Sequence, residues 1–154
     1  MDTASKTVNR RKALSFAGVG MASSFAAMHA DGADWTAAEK ANVQVVNDFC
    51  ASWPGHDVEK IMSFFADSCA YRMTEAQDPV KGRAAVADRV KLVADRAGRF
   101  EVLETFAKGP MVINERIDHF TGGPLRSWHG VGVFFLKDGK IVEWYDYTIS
   151  MERG

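Results

Sequence analysis

A surplus of either charge is missing from this chain: 19 Lys and Arg stand against 20 Asp and Glu, a formal net charge of −1 over 154 residues. Without a basic excess there is no electrostatic footprint for nucleic acid or for an anionic membrane surface. Cysteine is nearly absent, and Cys50 and Cys69 are too few for a disulfide scaffold. No Cys/His group has zinc-site spacing, so no metal site is expected. Repeats and low-complexity tracts are lacking as well, which excludes collagen, coiled-coil and disordered classes. What remains, 47% hydrophobic and 25% charged residues, is the composition of one soluble globular domain with a short appendage.

The appendage is the N-terminus. Lys6, Arg10, Arg11 and Lys12 precede Ala13 to Ala30, a stretch free of Asp, Glu, Lys and Arg. A basic start, an apolar middle and small residues at the end form the layout of an export signal over residues 1–30. Gly18, Gly20, Ser15, Ser23 and Ser24 dilute the stretch, which makes it a poor permanent membrane anchor. The run NRRKALSFAGVG resembles a twin-arginine signal, with Ala13 where Phe is common. This implies a periplasmic location and no stable membrane insertion after processing. Met28 is a poor fit to a cleavage site after Ala30. An oxidising compartment permits a Cys50–Cys69 bond, and two separately buried thiols are the plainer reading.

From residue 34 to 154 the pattern predicts one α+β domain. Thr36 and Glu39 form a capping box ahead of a helix through Ser52, with Val43, Val46, Phe49, Cys50 and Trp53 on one face. Pro54-Gly55 stops it, and Asp57 caps a second helix with Ile61, Phe64 and Phe65 inward. A short strand over Cys69–Met73, a loop over Thr74–Lys81 and a third helix from Gly82 to near Gly98 follow. The period then changes from 3.6 to 2, giving strands over Phe100–Lys108, Met111–Phe120, Leu125–Leu136 and Ile141–Ser150. Asp138-Gly139 suits a type I′ hairpin turn. Three helices packed on a curved antiparallel or mixed sheet is the architecture expected.

Alternation along Met111–Phe120 puts Val112, Asn114, Arg116, Asp118 and Phe120 on one face. Covered by helices, that face would hold a charged pocket; turned outward, it would be a surface ladder, and alternation alone does not choose. The last strand places Val142, Trp144, Asp146 and Thr148 together, an acid embedded among aromatics. Burial raises a carboxyl pKa and a neighbouring Arg lowers it. Two carboxylates bridged by one Arg can therefore split into one protonated and one ionised group, an acid/base pair working near neutral pH.

The stretches NERIDHF and GVGVFFLKDGKIVEWYDYTIS, with FFADSCAY and VKGRAAV, resemble the limonene-1,2-epoxide hydrolase family over roughly residues 40–150. That family belongs to the nuclear-transport-factor-2-like and polyketide-cyclase-like superfamily of cone-shaped α+β domains. The resemblance implies cofactor-independent opening of a small apolar epoxide to a diol. Asp118 is then the acid to the epoxide oxygen, Asp146 the base to water, and Arg116 the bridge, with Tyr71 orienting the water. It further implies a homodimer through the outer sheet face. No metal and no nucleophile elbow enters such chemistry.

Two departures stand out. The family's second water-orienting residue, an Asn, falls on Met73, with Thr74, Glu75 and Gln77 following as replacements. In the third long strand, Trp128-His129 stands where the family has an apolar run, so His129 is either a further acid/base group near the substrate or an ordinary strand histidine. Met73, Trp128, Phe120 and Trp144 are expected as apolar wall; Lys81, Arg83, Arg89 and Arg96 as solvated helix or loop residues. Competing readings are an isomerase or cyclase of the same superfamily, moving a proton beside a carbonyl, and a non-catalytic periplasmic binder of an apolar molecule.

Overall fold

The computed structural model describes residues 35–154, so the export-signal reading of residues 1–30 lies outside the described residues. Helix α1, Ala37–Ser52, begins as the capping box predicts: the Glu39 N–H donates to the Thr36 hydroxyl, and the Thr36 N–H donates to Glu39 Oε2 at 2.8 Å. Glu39 also accepts the Gly109 N–H at 2.7 Å, tying the helix start to a distant hairpin turn. That bond, with those from Thr36, holds the Glu39 carboxyl down at about 2. A 3-10 turn, Trp53–Gly55, ends the helix, and His56 closes it in the left-handed region at φ 55°.

Helix α2 is shorter than periodicity predicts. It spans Val58–Met62, capped by Asp57, which accepts from the Lys60 N–H. Ser63 turns its hydroxyl and N–H back onto the last carbonyls, and Phe64 O accepts the Ile141 N–H at 2.8 Å. Phe65 is thereby drawn into strand β1, Phe65–Arg72, which starts there and not at Cys69. The expected loop over 74–81 ends in a two-residue strand β2, Val80–Lys81, paired antiparallel to β1. Helix α3, Arg83–Ala94, buries Val86, Val90 and Ala94, and stops short of Gly98.

Strand β3, Ala97–Lys108, already contains Gly98. A side chain there would meet the His119 carbonyl oxygen at 2.9 Å, so the glycine marks a close backbone approach and not a helix end. β4, Met111–Phe120, β5, Leu125–Lys137, and β6, Lys140–Arg153, complete the sheet. Asp138 at φ 51° and Gly139 at φ 72° make the I′ turn between β5 and β6. The strand order is β2-β1-β6-β5-β4-β3, antiparallel except for the parallel β1–β6 pair. The result is an α+β fold, with the three α-helices of the described residues packed against a curved, mixed, open sheet. Among the described residues, no helix is long and apolar enough to cross a membrane.

One register slip alters the inner face. β5 pairs Phe135 with Glu143 but Leu136 with Ile141, leaving Val142 as an extra residue in β6. Ile141 is consequently buried with Trp144, whereas strict alternation would have put Val142 there; Val142 instead lines a shallow hollow with Glu143 and Tyr145. The core under the helices is aromatic: Phe49 meets Trp53, Phe65, Phe134 and Trp144 edge-on, with ring centres 5.0 to 5.8 Å apart. Such edge contacts each add about 0.5–1.5 kcal/mol beyond area burial. Cys50 on α1 and Cys69 on β1 are both buried free thiols.

Candidate active site

Val112, Asn114, Arg116 and Asp118 are all buried, so the face that alternation left undecided is the inner one. Pairing fixes their neighbours in rows across the sheet: Asp118 beside Trp128, Arg116 beside Gly130 and Thr148, Asn114 beside Gly132 and Asp146. Arg116 on β4 and Asp146 on β6 are separated by β5, two strand spacings or about 10 Å at the backbone. The guanidinium bridges that gap because Gly130 and Gly132 put no side chain in its way. A Cβ on Gly132 would stand 2.5 Å from Arg116 Nη1 and 2.7 Å from the Phe134 ring; one on Gly130 would collide with the Trp128 indole.

Arg116 Nε donates to Asp118 Oδ1 at 3.0 Å, and its Nη2 donates to Asp146 Oδ1 at 3.0 Å. Phe100, Trp128 and Trp144 surround the guanidinium, with ring centres 5.0 to 5.5 Å away. Nη1 is buried and has no hydrogen-bond partner among the described residues. The two carboxylates are unequal. Asp146 also accepts from Trp144 Nε1 at 2.7 Å and from the Tyr71 hydroxyl at 3.5 Å. Asp118 accepts from Arg116 alone among the described residues.

Burial pushes the Asp118 carboxyl up to about 7, against the pull of Arg116 and with a further push from the Asp146 charge. Burial raises Asp146 too, opposed by Arg116 and by the hydrogen bonds from Arg116, Trp144 and Tyr71. One cation between two buried acids is electrically balanced when one of them holds a proton. The proton belongs on the acid with fewer donors, which is Asp118. Tyr71, pushed well up by burial, stays protonated and donates.

A cavity of about 140 Å³ opens over these groups. Its floor is buried: Trp53, Tyr71, Phe100, Trp128, Trp144 and the three charged side chains. Its rim is half-open and mostly apolar, formed by Met73, Val93, Phe120, Leu125 and Met151, with Thr74 and Arg96. This is the shape of a small-molecule site, apolar walls around a few convergent polar groups.

A family model for the SnoaL-like domain matches residues 46–144, a segment that carries Arg116 and Asp118 and ends two residues before Asp146. The chain belongs to the SnoaL-like domain family. Solved structures agree on the fold. An LEH-like epoxide hydrolase from Mycobacterium tuberculosis is similar at 25% identity and a TM-score of 0.63, over 71% of this chain and 84% of that one. An NTF2-like protein of unknown function from Mesorhizobium loti shares 23% identity and a TM-score of 0.61, over 73% and 93% of the respective chains. A de novo designed protein with a curved β-sheet matches at 16% identity and a TM-score of 0.60, over 71% and 85%.

In this SnoaL-like domain the structure gathers Asp118, Arg116, Asp146, Tyr71, Met73, Trp128, Phe120 and Trp144 around one cavity. His129 is not among them. Trp128 points inward, so its strand neighbour points outward, where His129 Nε2 lies 2.9 Å from Glu115 Oε1. Asn114 leaves the cavity as well: its amide donates to Thr105 Oγ1 at 2.8 Å in a buried polar cluster with Cys50 and Asn47. Of the three replacements after Met73, Glu75 accepts the Thr148 N–H and Gln77 accepts from Arg89, so Thr74 alone lines the cavity. Arg96, expected as a solvated residue, sits on the rim, and Arg83 donates to Phe65 O. Sequence reasoning also missed Gly130 and Gly132. Their signal was available: two glycines at i,i+2 on a strand share a face and leave a gap for something large.

Proposed function

We propose that this SnoaL-like domain hydrolyses a small apolar epoxide to a diol by a one-step acid/base mechanism. The observation that carries the reading is the unequal hydrogen bonding of two buried acids about one guanidinium. Asp118, holding the proton, gives it to the epoxide oxygen as the ring C–O bond breaks. Water attacks the ring carbon and passes its proton to Asp146, which its three donors keep ionised. The diol carries one oxygen from water, and proton exchange with solvent returns the pair to its starting state. Arg116 compensates whichever acid is charged at each stage. The 25% identity to an LEH-like epoxide hydrolase supports the same reading.

The test is mass spectrometry of products from a panel of terpene and aryl epoxides in isotopically labelled water. Labelled diol from the wild type is expected, with turnover reduced by about 10²–10⁴-fold in both Asp118→Asn and Asp146→Asn. Epoxides returned unchanged across the panel would overturn the proposal. Met73 supports a second reading: with a thioether where the resembled family carries an amide, the site suits an isomerase or cyclase that needs no positioned water. That reading expects deuterium exchange beside a ketone carbonyl, with no oxygen gained.

A further inference from the structure

Among the described residues Arg96 is the one cation on the rim of the cavity, and none of their hydrogen bonds or ion pairs engages its guanidinium. It does not drift free of the fold. Its Nη1 lies 2.8 Å from where a side chain on Gly123 would begin, so the guanidinium rests across the Gly122–Gly123 turn, both of whose residues have positive φ. Its backbone is pinned on both sides: the Arg96 N–H donates to Val93 O, and Arg96 O accepts the Thr121 N–H at 2.9 Å. The rim side chains around it, Val93, Phe120, Leu125, Met73 and Met151, bring no negative charge. At the opposite, buried end Arg116, among the described residues the only full positive charge there, is already matched by Asp118 and Asp146. The cavity therefore has a polar floor that is charge-satisfied, an apolar middle, and an unmatched cation at its mouth.

We propose that the ligand of this cavity is an amphipathic carboxylate, its apolar body held between the walls and its carboxylate paired with Arg96 at the rim. An Arg fork receives a carboxylate with two parallel N–H···O bonds, and a position at the mouth lets the acid keep part of its hydration. The inference rests on the reading of this cavity as a substrate site, and under the proposed function it narrows the substrate to an epoxide that bears a remote carboxylate.

The probes are decanoate and methyl decanoate, titrated into the purified protein. Binding is read by tryptophan emission, since Trp53, Trp128 and Trp144 all line the cavity. Arg96→Gln is expected to weaken decanoate by about fivefold, the size of a solvent-screened ion pair, and to leave methyl decanoate unchanged. Arg96→Lys keeps the charge and should recover part of the decanoate affinity, which separates charge from folding. Added salt should weaken decanoate binding to the wild type alone. Equal weakening of both probes in Arg96→Gln, or no weakening of either, would overturn the inference. A parallel turnover arm compares an epoxidised fatty acid with its methyl ester. Diol from neither sinks the hydrolase reading without touching the binding result, so the two failures are told apart.

Discussion

Gly132→Ala adds one methyl group at the place where Arg116 crosses β5. The new carbon would stand 2.5 Å from Arg116 Nη1 and 2.7 Å from the Phe134 ring, where ordinary contacts begin near 3.4 Å. The guanidinium must therefore retreat by about 1 Å, yet both of its carboxylate bonds are 3.0 Å long and three aromatic rings crowd it. Overpacking of this kind costs about 1–3 kcal/mol. Loss of one carboxylate contact would raise the cost to about 3–5 kcal/mol, because a buried charge is left uncompensated. For a domain of this size, the lower range corresponds to a fall in Tm of roughly 5–15 °C. A shift of about 1 Å in the groups that move protons is also worth about 10²-fold in turnover. Urea and thermal unfolding read the first effect, and diol formation reads the second. Gly55→Ala is the control: nothing lies within 4 Å of its added carbon, and it is expected to stay within about 1 kcal/mol of the wild type. A Gly132→Ala protein as stable and as active as the wild type would refute the account of how Arg116 reaches Asp146.

Three other outcomes follow from the same geometry. Asp118 has its carboxyl raised from an ordinary 3.8 to about 7, so between these values the folded chain binds a proton that the unfolded chain has released. Stability from this group is present below about 4 and is lost as pH rises to about 7, and Asp118→Asn should flatten that slope in unfolding measured across the range. Diol formation should decline above about pH 7 for the same reason, as the acid loses its proton. His129→Ala should leave turnover within about twofold of the wild type, because its ring meets Glu115 on the outer face; a loss of about 10²-fold in the pH-rate profile would return His129 to the site.

The charged strand was legible because period-2 alternation is robust in a long, regular strand: the bounds Met111–Phe120 and the grouping of Asn114, Arg116 and Asp118 match the structure. Which side faced the helices was not legible, since alternation looks the same inverted; long-range packing against α1 decides it. The same method misassigned Ile141 and Val142, because a bulge changes phase without changing composition. Phe64 and Phe65 continued the helical stripe of α2, but backbone pairing with β6, remote in sequence, claimed Phe65 for the sheet and bonded the Phe64 carbonyl to Ile141. His129 looked chemical beside Trp128, and only the inward turn of that indole shows that its neighbour is excluded. Arg96 was read as solvent-facing because nothing local marks a residue whose environment is built by Gly122 and Gly123 from another hairpin.

The parallel pairing of β1 with β6 has a consequence for how the protein comes into being. Tyr71 sits on the first long strand made, whose earlier companion is only the two-residue β2, while its partner Trp144 and the acid Asp146 arrive on the last strand. Closing a loop between residues 71 and 144 carries a large entropic cost before any contact rewards it, and topologies of this kind fold in milliseconds to seconds. Until β6 docks, Arg116 has lost one of its two counter-charges and β1 lacks its longer neighbour. A nascent chain that has not yet released β6 therefore holds Arg116 paired with Asp118 alone, and the site is complete only when β6 brings Asp146 and Trp144.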